Sequence, residues 1–120
     1  YAVALDVTGV SDTPKSGNLS MKLDGGACIK LMDSSVYCHK NMVDFLKNTA
    51  LENNIKYQFE VLTAGGTDAG AIHVSRAGVY TGAVSIPTRY IHSPVETASL
   101  NDCKSISDLL FAAVKKGFIA

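Results

Sequence analysis

Asp6, Asp68 and His92 are the residues whose type and setting best suit them to chemistry. Each stands where an apolar, strand-like run gives way to a turn. Asp6 follows AVAL, Asp68 lies within GGTDAGAIH at residues 65–73, and His92 lies within IPTRYIHSPVE at residues 86–96. Carboxylate and imidazole groups are the ligands that a divalent cation such as zinc, cobalt or manganese accepts. Open α/β sheets collect such groups beyond the ends of their strands. The pattern therefore predicts three polar groups converging on one side of a sheet, and hydrolysis at a metal-activated water as their chemistry.

Each residue also has a plain structural use. An aspartate that ends a buried strand commonly bonds nearby backbone amides in a turn. Thr67 or Asp68 would serve well as the N-cap of a helix that follows Gly65 and Gly66. A lone histidine such as His92 is commonly a satisfied surface or core residue, and the same holds for His73 and His39. The residue types alone leave the choice open.

The elements that must position these groups are legible from periodicity. Residues 1–7 form a short Val- and Leu-rich run typical of a buried strand, followed by a turn-rich stretch at residues 8–20. Residues 27–32, preceded by Asp24-Gly25-Gly26, predict a second strand and a hairpin with residues 20–23. Val43, Leu46, Ala50 and Leu51 follow helical spacing in a segment from His39 to Asn53. Residues 57–62 alternate as a strand and feed a short helix at 68–75, and residues 79–86 read as another strand ending at Pro87. Ile106, Leu109, Leu110, Ala113 and Val114 mark a final amphipathic helix with Asn101 as N-cap and Gly117 as C-cap. The fold class is α/β, a mixed sheet of about four strands with flanking helices.

Composition narrows the function classes. A chain of 120 residues with 47% hydrophobic and 18% charged residues can bury one core, so residues 1–120 are expected to form a single domain. Eleven Lys and Arg against eleven Asp and Glu leave no basic field, which argues against a nucleic-acid partner or an anionic membrane surface. Three cysteines without a C-x-x-C pair suggest neither a disulfide framework nor a thiolate zinc knuckle, and fit a reducing cytoplasm. No run approaches the roughly 20 apolar residues that span a bilayer. Tyr1 enters a strand pattern without an initiator methionine, which predicts a piece of a longer chain.

The runs GGTDAGAIH and GVYTGAVSIPTRYIHSPVE, after the opening ALDVTGVSDTP, resemble the C-terminal part of the glutamyl or tetrahedral aminopeptidase family. These are dinuclear-metal peptidases that form large tetrahedral particles. The resemblance covers nearly the whole chain and rests on three motifs in order. It implies the second half of a zinc-peptidase-like catalytic domain, without the inserted dimerisation domain and the N-terminal half. Carried over by motif, Asp6 would be the terminal ligand of one metal and His92 that of the other. Gly65, Gly66, Thr67 and Asp68 would form a loop beside the substrate, as structural or substrate-contacting residues. The remaining ligands and the general-base glutamate would lie upstream of Tyr1. Tyr80, where the family often has proline, and Lys15-Ser16, where a glycine is common, depart from the pattern without touching the ligand positions.

The resemblance further implies two divalent ions, zinc or cobalt, about 3.5–4 Å apart, activating a water against a peptide carbonyl. Peptides are the substrates, and the parent protein is a homo-oligomer. Glu96 could bond the outer face of His92 as a partner fixing its tautomer, and Arg89 is better suited to a structural ion pair than to substrate binding. With one protein ligand per ion against the three typical of catalytic zinc, the isolated chain is expected to bind zinc weakly and to hydrolyse nothing. The alternative is a non-catalytic α/β scaffold used in assembly. No pair of carboxylates suits glycoside hydrolysis.

Overall fold

The computed structural model describes residues 1–118. In chain order the elements are β1 (Ala2–Gly9), β2 (Ala27–Met32), α1 (Lys40–Glu52), β3 (Tyr57–Val61), α2 (Ala69–Ile72), β4 (Thr81–Arg89), β5 (Thr97–Ala98) and α3 (Leu100–Lys116). The sheet runs β1-β4-β2-β3, with β5 paired to the end of β4. It is the mixed α/β sheet expected, one short strand larger.

Helices α1 and α3 cover one face. Leu46 and Ala50 of α1 and Ile106, Leu109 and Ala113 of α3 close on Ala27, Ile29 and Val84 of the sheet. The helical spacing of those apolar residues is what aligns them on one stripe each, and a buried Leu or Ile contributes about 1.5–3 kcal/mol. Gly82 lets α1 approach closely, since a Cβ there would meet Leu46 and Met42 at 3.3 Å. The opposite face carries α2 and a smaller cluster of Ala4, Val36, Ala69 and Ala83.

The helix ends follow from local chemistry. His39 caps α1 by accepting the Asn41 amide on Nδ1 at 3.2 Å, and Asn53 closes it. Helix α3 starts earlier than Asn101 suggested: Ser99 is its N-cap, and Asn101 instead donates its side-chain amide to Asp24. Gly117 ends α3 at φ 79°, in the region that favours glycine.

The hairpin expected between residues 20–23 and β2 does not form. Strand β2 lies parallel to β3 and antiparallel to β4, and residues 20–23 are turn and coil. The Asp24-Gly25-Gly26 segment serves close packing instead of chain reversal. A Cβ on Gly26 would lie 2.2 Å from the Lys56 carbonyl oxygen, and buried Asp102 of α3 accepts the amides of Asp24 and Gly26 at 2.8 and 2.7 Å. Strand β4 runs through Pro87 to Arg89, beyond the expected stop. Its register with β2 covers only Ser85 and Val84, so the missing N–H of Pro87 costs no ladder bond there.

Strand polarity decides which loops share a rim. Strands β1 and β4 are parallel, from Ala2↔Thr81 to Gly9↔Thr88. Because β2 is antiparallel to β4 and parallel to β3, the carboxyl ends of β2 and β3 point to the opposite rim. The predicted convergence of all three chemistry-bearing segments is thereby corrected. His92 follows the carboxyl end of β4, Asp6 lies midway along the parallel strand β1, and residues 65–68 follow β3 at the rim opposite His92.

Candidate metal centre

Asp6 lies within β1, three residues before its end, because the strand continues to Gly9 instead of stopping at Val7. Its register partner is Ser85, so the two side chains share a face of the sheet, as does Thr8 two residues on. Asp6 is half-buried, and its Oδ1 accepts the Val7 amide at 2.7 Å. Its Oδ2 has no hydrogen bond among the described residues. On the same face the hydroxyls of Thr8 and Ser85 are buried and lack a hydrogen-bond partner, an arrangement that calls for a further polar group beside the carboxylate.

His92 stands in the hairpin between β4 and β5, which closes through Arg89↔Thr97 and Thr88↔Ala98. The hairpin is tightly wound. Tyr90 and His92 have φ of 53° and 62°, left-handed values that are uncommon outside glycine. Ser93 donates its hydroxyl to the Tyr90 carbonyl at 2.5 Å, and Glu96 Oε1 accepts the His92 backbone amide at 2.6 Å. Glu96 thus engages the main chain of His92, not the outer face of its ring. Arg89 pairs with Asp12 through two hydrogen bonds, the structural ion pair anticipated for it, and so ties the loop after β1 to the end of β4.

A carboxylate with an unengaged oxygen and an imidazole without a hydrogen-bond partner among the described residues fit the donor preferences of a divalent cation. They do not close a site: among the described residues no three His, Cys, Asp or Glu side chains group in a way that could hold a metal ion.

The segment at residues 65–68 sits against the turn that follows β2. Ser34 donates both its amide and its hydroxyl to the Gly65 carbonyl, and Thr67 donates its hydroxyl to Asp33 at 3.3 Å. Gly65 has φ 83°, and a Cβ on Gly66 would meet the Ser35 hydroxyl at 3.0 Å. Asp68 occupies the N-cap position of α2 but makes no capping bond through its side chain. The helix it opens is Ala69–Ile72, shorter than expected.

Residues 1–109 match the M42 glutamyl aminopeptidase family. The chain belongs to that family. A candidate aminopeptidase of Acetivibrio thermocellus is 49% identical over 113 residues, covering 94% of this chain and 34% of its own length. The structure of an aminopeptidase from the archaeon Desulfurococcus kamchatkensis superposes with a TM-score of 0.90 at 37% identity, over 96% of this chain and 34% of that one. A TET peptidase of Pyrococcus horikoshii, which can assemble into a tetrahedron or a large octahedral shell, superposes at 0.73 with 32% identity, over 92% and 32%. This M42 chain spans about a third of the length of the relatives it matches.

One polar cluster of the M42 chain escaped the sequence reading. Lys30 and Glu60 are directly paired across β2 and β3, form a fully buried ion pair, and are joined by Asp33 at 3.3 Å from the Lys30 ammonium. Burial alone would raise the Asp33 carboxyl, but the Ser35 hydroxyl and amide and the Lys30 ammonium together hold it below the ordinary value. A charged residue in each of two strand runs, ACIKLM and YQFEV, was the available signal. The network anchors Asp33, and through it the turn against which residues 65–68 pack. A cavity of about 290 Å³ lined by Tyr37, His39, His73 and Tyr80 opens at the start of β4, at the end of that strand away from the His92 hairpin. No helix among the described residues is long and apolar enough to cross a membrane.

Proposed function

We propose that this chain is the C-terminal portion of the catalytic domain of a metal-dependent aminopeptidase that removes residues from the amino ends of peptides. The observation that carries this reading is the family match over residues 1–109, combined with the mounting of Asp6 on β1 and of His92 in the hairpin that leaves the neighbouring parallel strand β4. In this reading Asp6 offers its free Oδ2 to one divalent ion and His92 offers its imidazole to a second, zinc or cobalt serving in each place. Bound there, the ions supply Lewis acidity and an activated water. The remaining ligands and the general base come from outside these 120 residues. Ser85 and Thr8 supply hydroxyls beside Asp6 that can orient its carboxylate, directly or through water.

Residues 65–68 take the structural role among those considered for them. Their bonds to Asp33 and Ser34 favour support of the fold over substrate contact. Peptide substrates and a homo-oligomeric parent complete the reading, supported by the relatives' names and the assembly of the Pyrococcus peptidase, and the three free cysteines fit a cytoplasmic setting.

The test is turnover of aminoacyl chromogenic substrates with zinc or cobalt, run on the 120-residue chain beside the full-length protein and its Asp6→Asn and His92→Ala variants. Activity confined to the unaltered full-length protein is the expected outcome. Activity in none of them favours the scaffold reading, and turnover or stoichiometric tight zinc in the isolated chain would contradict the split site.

A further inference from the structure

The His92 backbone is held in an unfavourable conformation by a single side chain. A non-glycine residue at φ 62° persists only where its surroundings over-determine it. Two left-handed residues within three positions, Tyr90 and His92, give the β4–β5 hairpin its sharp winding. The Tyr90 corner is tied by Ser93, whose hydroxyl donates to the Tyr90 carbonyl and accepts the Val95 amide at 3.3 Å. Among the described residues the His92 corner has one tie, the 2.6 Å bond from its amide to Glu96 Oε1. A bond from an amide to an ionised carboxylate is roughly twice as strong as a neutral one. Behind the hairpin, the Arg89 fork on Asp12 fixes the stem.

We propose that Glu96 is a positioning residue for His92: its carboxylate locks the His92 main chain in the left-handed conformation and thereby fixes where the imidazole is presented. The proposal rests on the reading of His92 as a metal ligand. A ligand on an exposed hairpin loses affinity if its backbone samples other conformations, because the metal must then select the competent one. Glu96 suits the task because it reaches back four residues to the amide of the residue it positions, and among the described residues both ring nitrogens of His92 stay unengaged.

The test compares Glu96→Ala, Glu96→Gln and His92→Ala in the full-length protein. Zinc affinity is measured by chelator competition, together with the visible absorption spectrum of the cobalt-loaded form and exchange of the His92 amide proton in the metal-free form. Glu96→Ala is expected to weaken zinc binding about tenfold, the lower end of what loss of an outer-shell partner costs, to alter the cobalt spectrum and to speed exchange at His92. Glu96→Gln, which retains a carbonyl acceptor, is expected to restore much of the affinity. Glu96 is exposed, so the variants should fold, and an unchanged melting temperature checks this. If His92→Ala loses metal while Glu96→Ala binds it as the native protein does, positioning by Glu96 is overturned and the ligand reading stands. If His92→Ala keeps full affinity, the ligand reading falls and the proposal with it.

Discussion

Arg89 grips Asp12 with two parallel hydrogen bonds, Nε to Oδ1 at 2.9 Å and Nη2 to Oδ2 at 2.8 Å. The planar fork joins the loop leaving β1 to the last residue of β4, so the mounts of Asp6 and His92 are braced against each other. Arginine does this where lysine would not, because only the guanidinium presents two N–H groups to both carboxylate oxygens.

That pair has a pH signature. The hydrogen bonds from Arg89 hold the Asp12 carboxyl below the ordinary aspartate value. A folded-state pKa below the unfolded one adds stability above about pH 4, and that stability is lost as the pH falls through the folded value. Asp12→Asn is therefore expected to unfold at lower urea than the native protein at pH 7, with the gap closing below about pH 4. A gap that stays constant down to pH 2.5 would show that the charge on Asp12 contributes nothing.

Lys30 is predicted to be intolerant of truncation of its charge. It is wholly buried between Glu60 and Asp33, so Lys30→Met would leave two carboxylates in the interior without a cation, at a cost of about 3–5 kcal/mol. Adding Glu60→Gln removes one of those charges and should recover part of the loss. Urea unfolding of the single and double variants measures both, and equal stability of the two would mean that the Glu60 charge is relieved in some other way.

Gly70→Ala is expected to destabilise through a single contact. Its Cβ would lie 2.3 Å from the Ser35 hydroxyl oxygen and 2.7 Å from the Ser35 Cβ, an overpacking worth about 1–3 kcal/mol. Pairing it with Ser35→Gly removes both clashing atoms, so the double variant should lose less stability than the sum of the two single variants. Additive losses would place the strain elsewhere in α2.

Most of the architecture was legible because it follows from local periodicity. The apolar stripes of α1 and α3 announce one buried face each, and the short apolar runs announce β1 to β4, of which the central β2 and β4 are buried on both faces. What stayed hidden depends on long-range pairing. Nothing local distinguishes Gly25-Gly26 as a close-packing site under Lys56 and Asp102 from a hairpin turn. Nothing local shows that β4 is parallel to one neighbour and antiparallel to the other, so the rule that open α/β sheets gather polar groups beyond their strand ends does not tell which rim Asp68 falls on. Asp6 and His92 stand out as candidates by residue type and motif. The Glu96 bond was half visible: the partner was identified, but whether it meets ring or backbone is set by the left-handed turn at His92, which a non-glycine sequence does not advertise.

The mixed polarity of β4 also partitions the protein for evolution. With about 3.3 Å per residue, a strand of this kind separates its two rims by well over 20 Å, beyond the range at which substitutions usually couple. The loop after β3 can change length and chemistry to suit whatever surface it meets without displacing the hairpin that carries His92, and that hairpin can be retuned without loosening the turn around Asp33. One sheet thus offers two independently adjustable margins, so that chemistry and architecture need not be inherited as a single package.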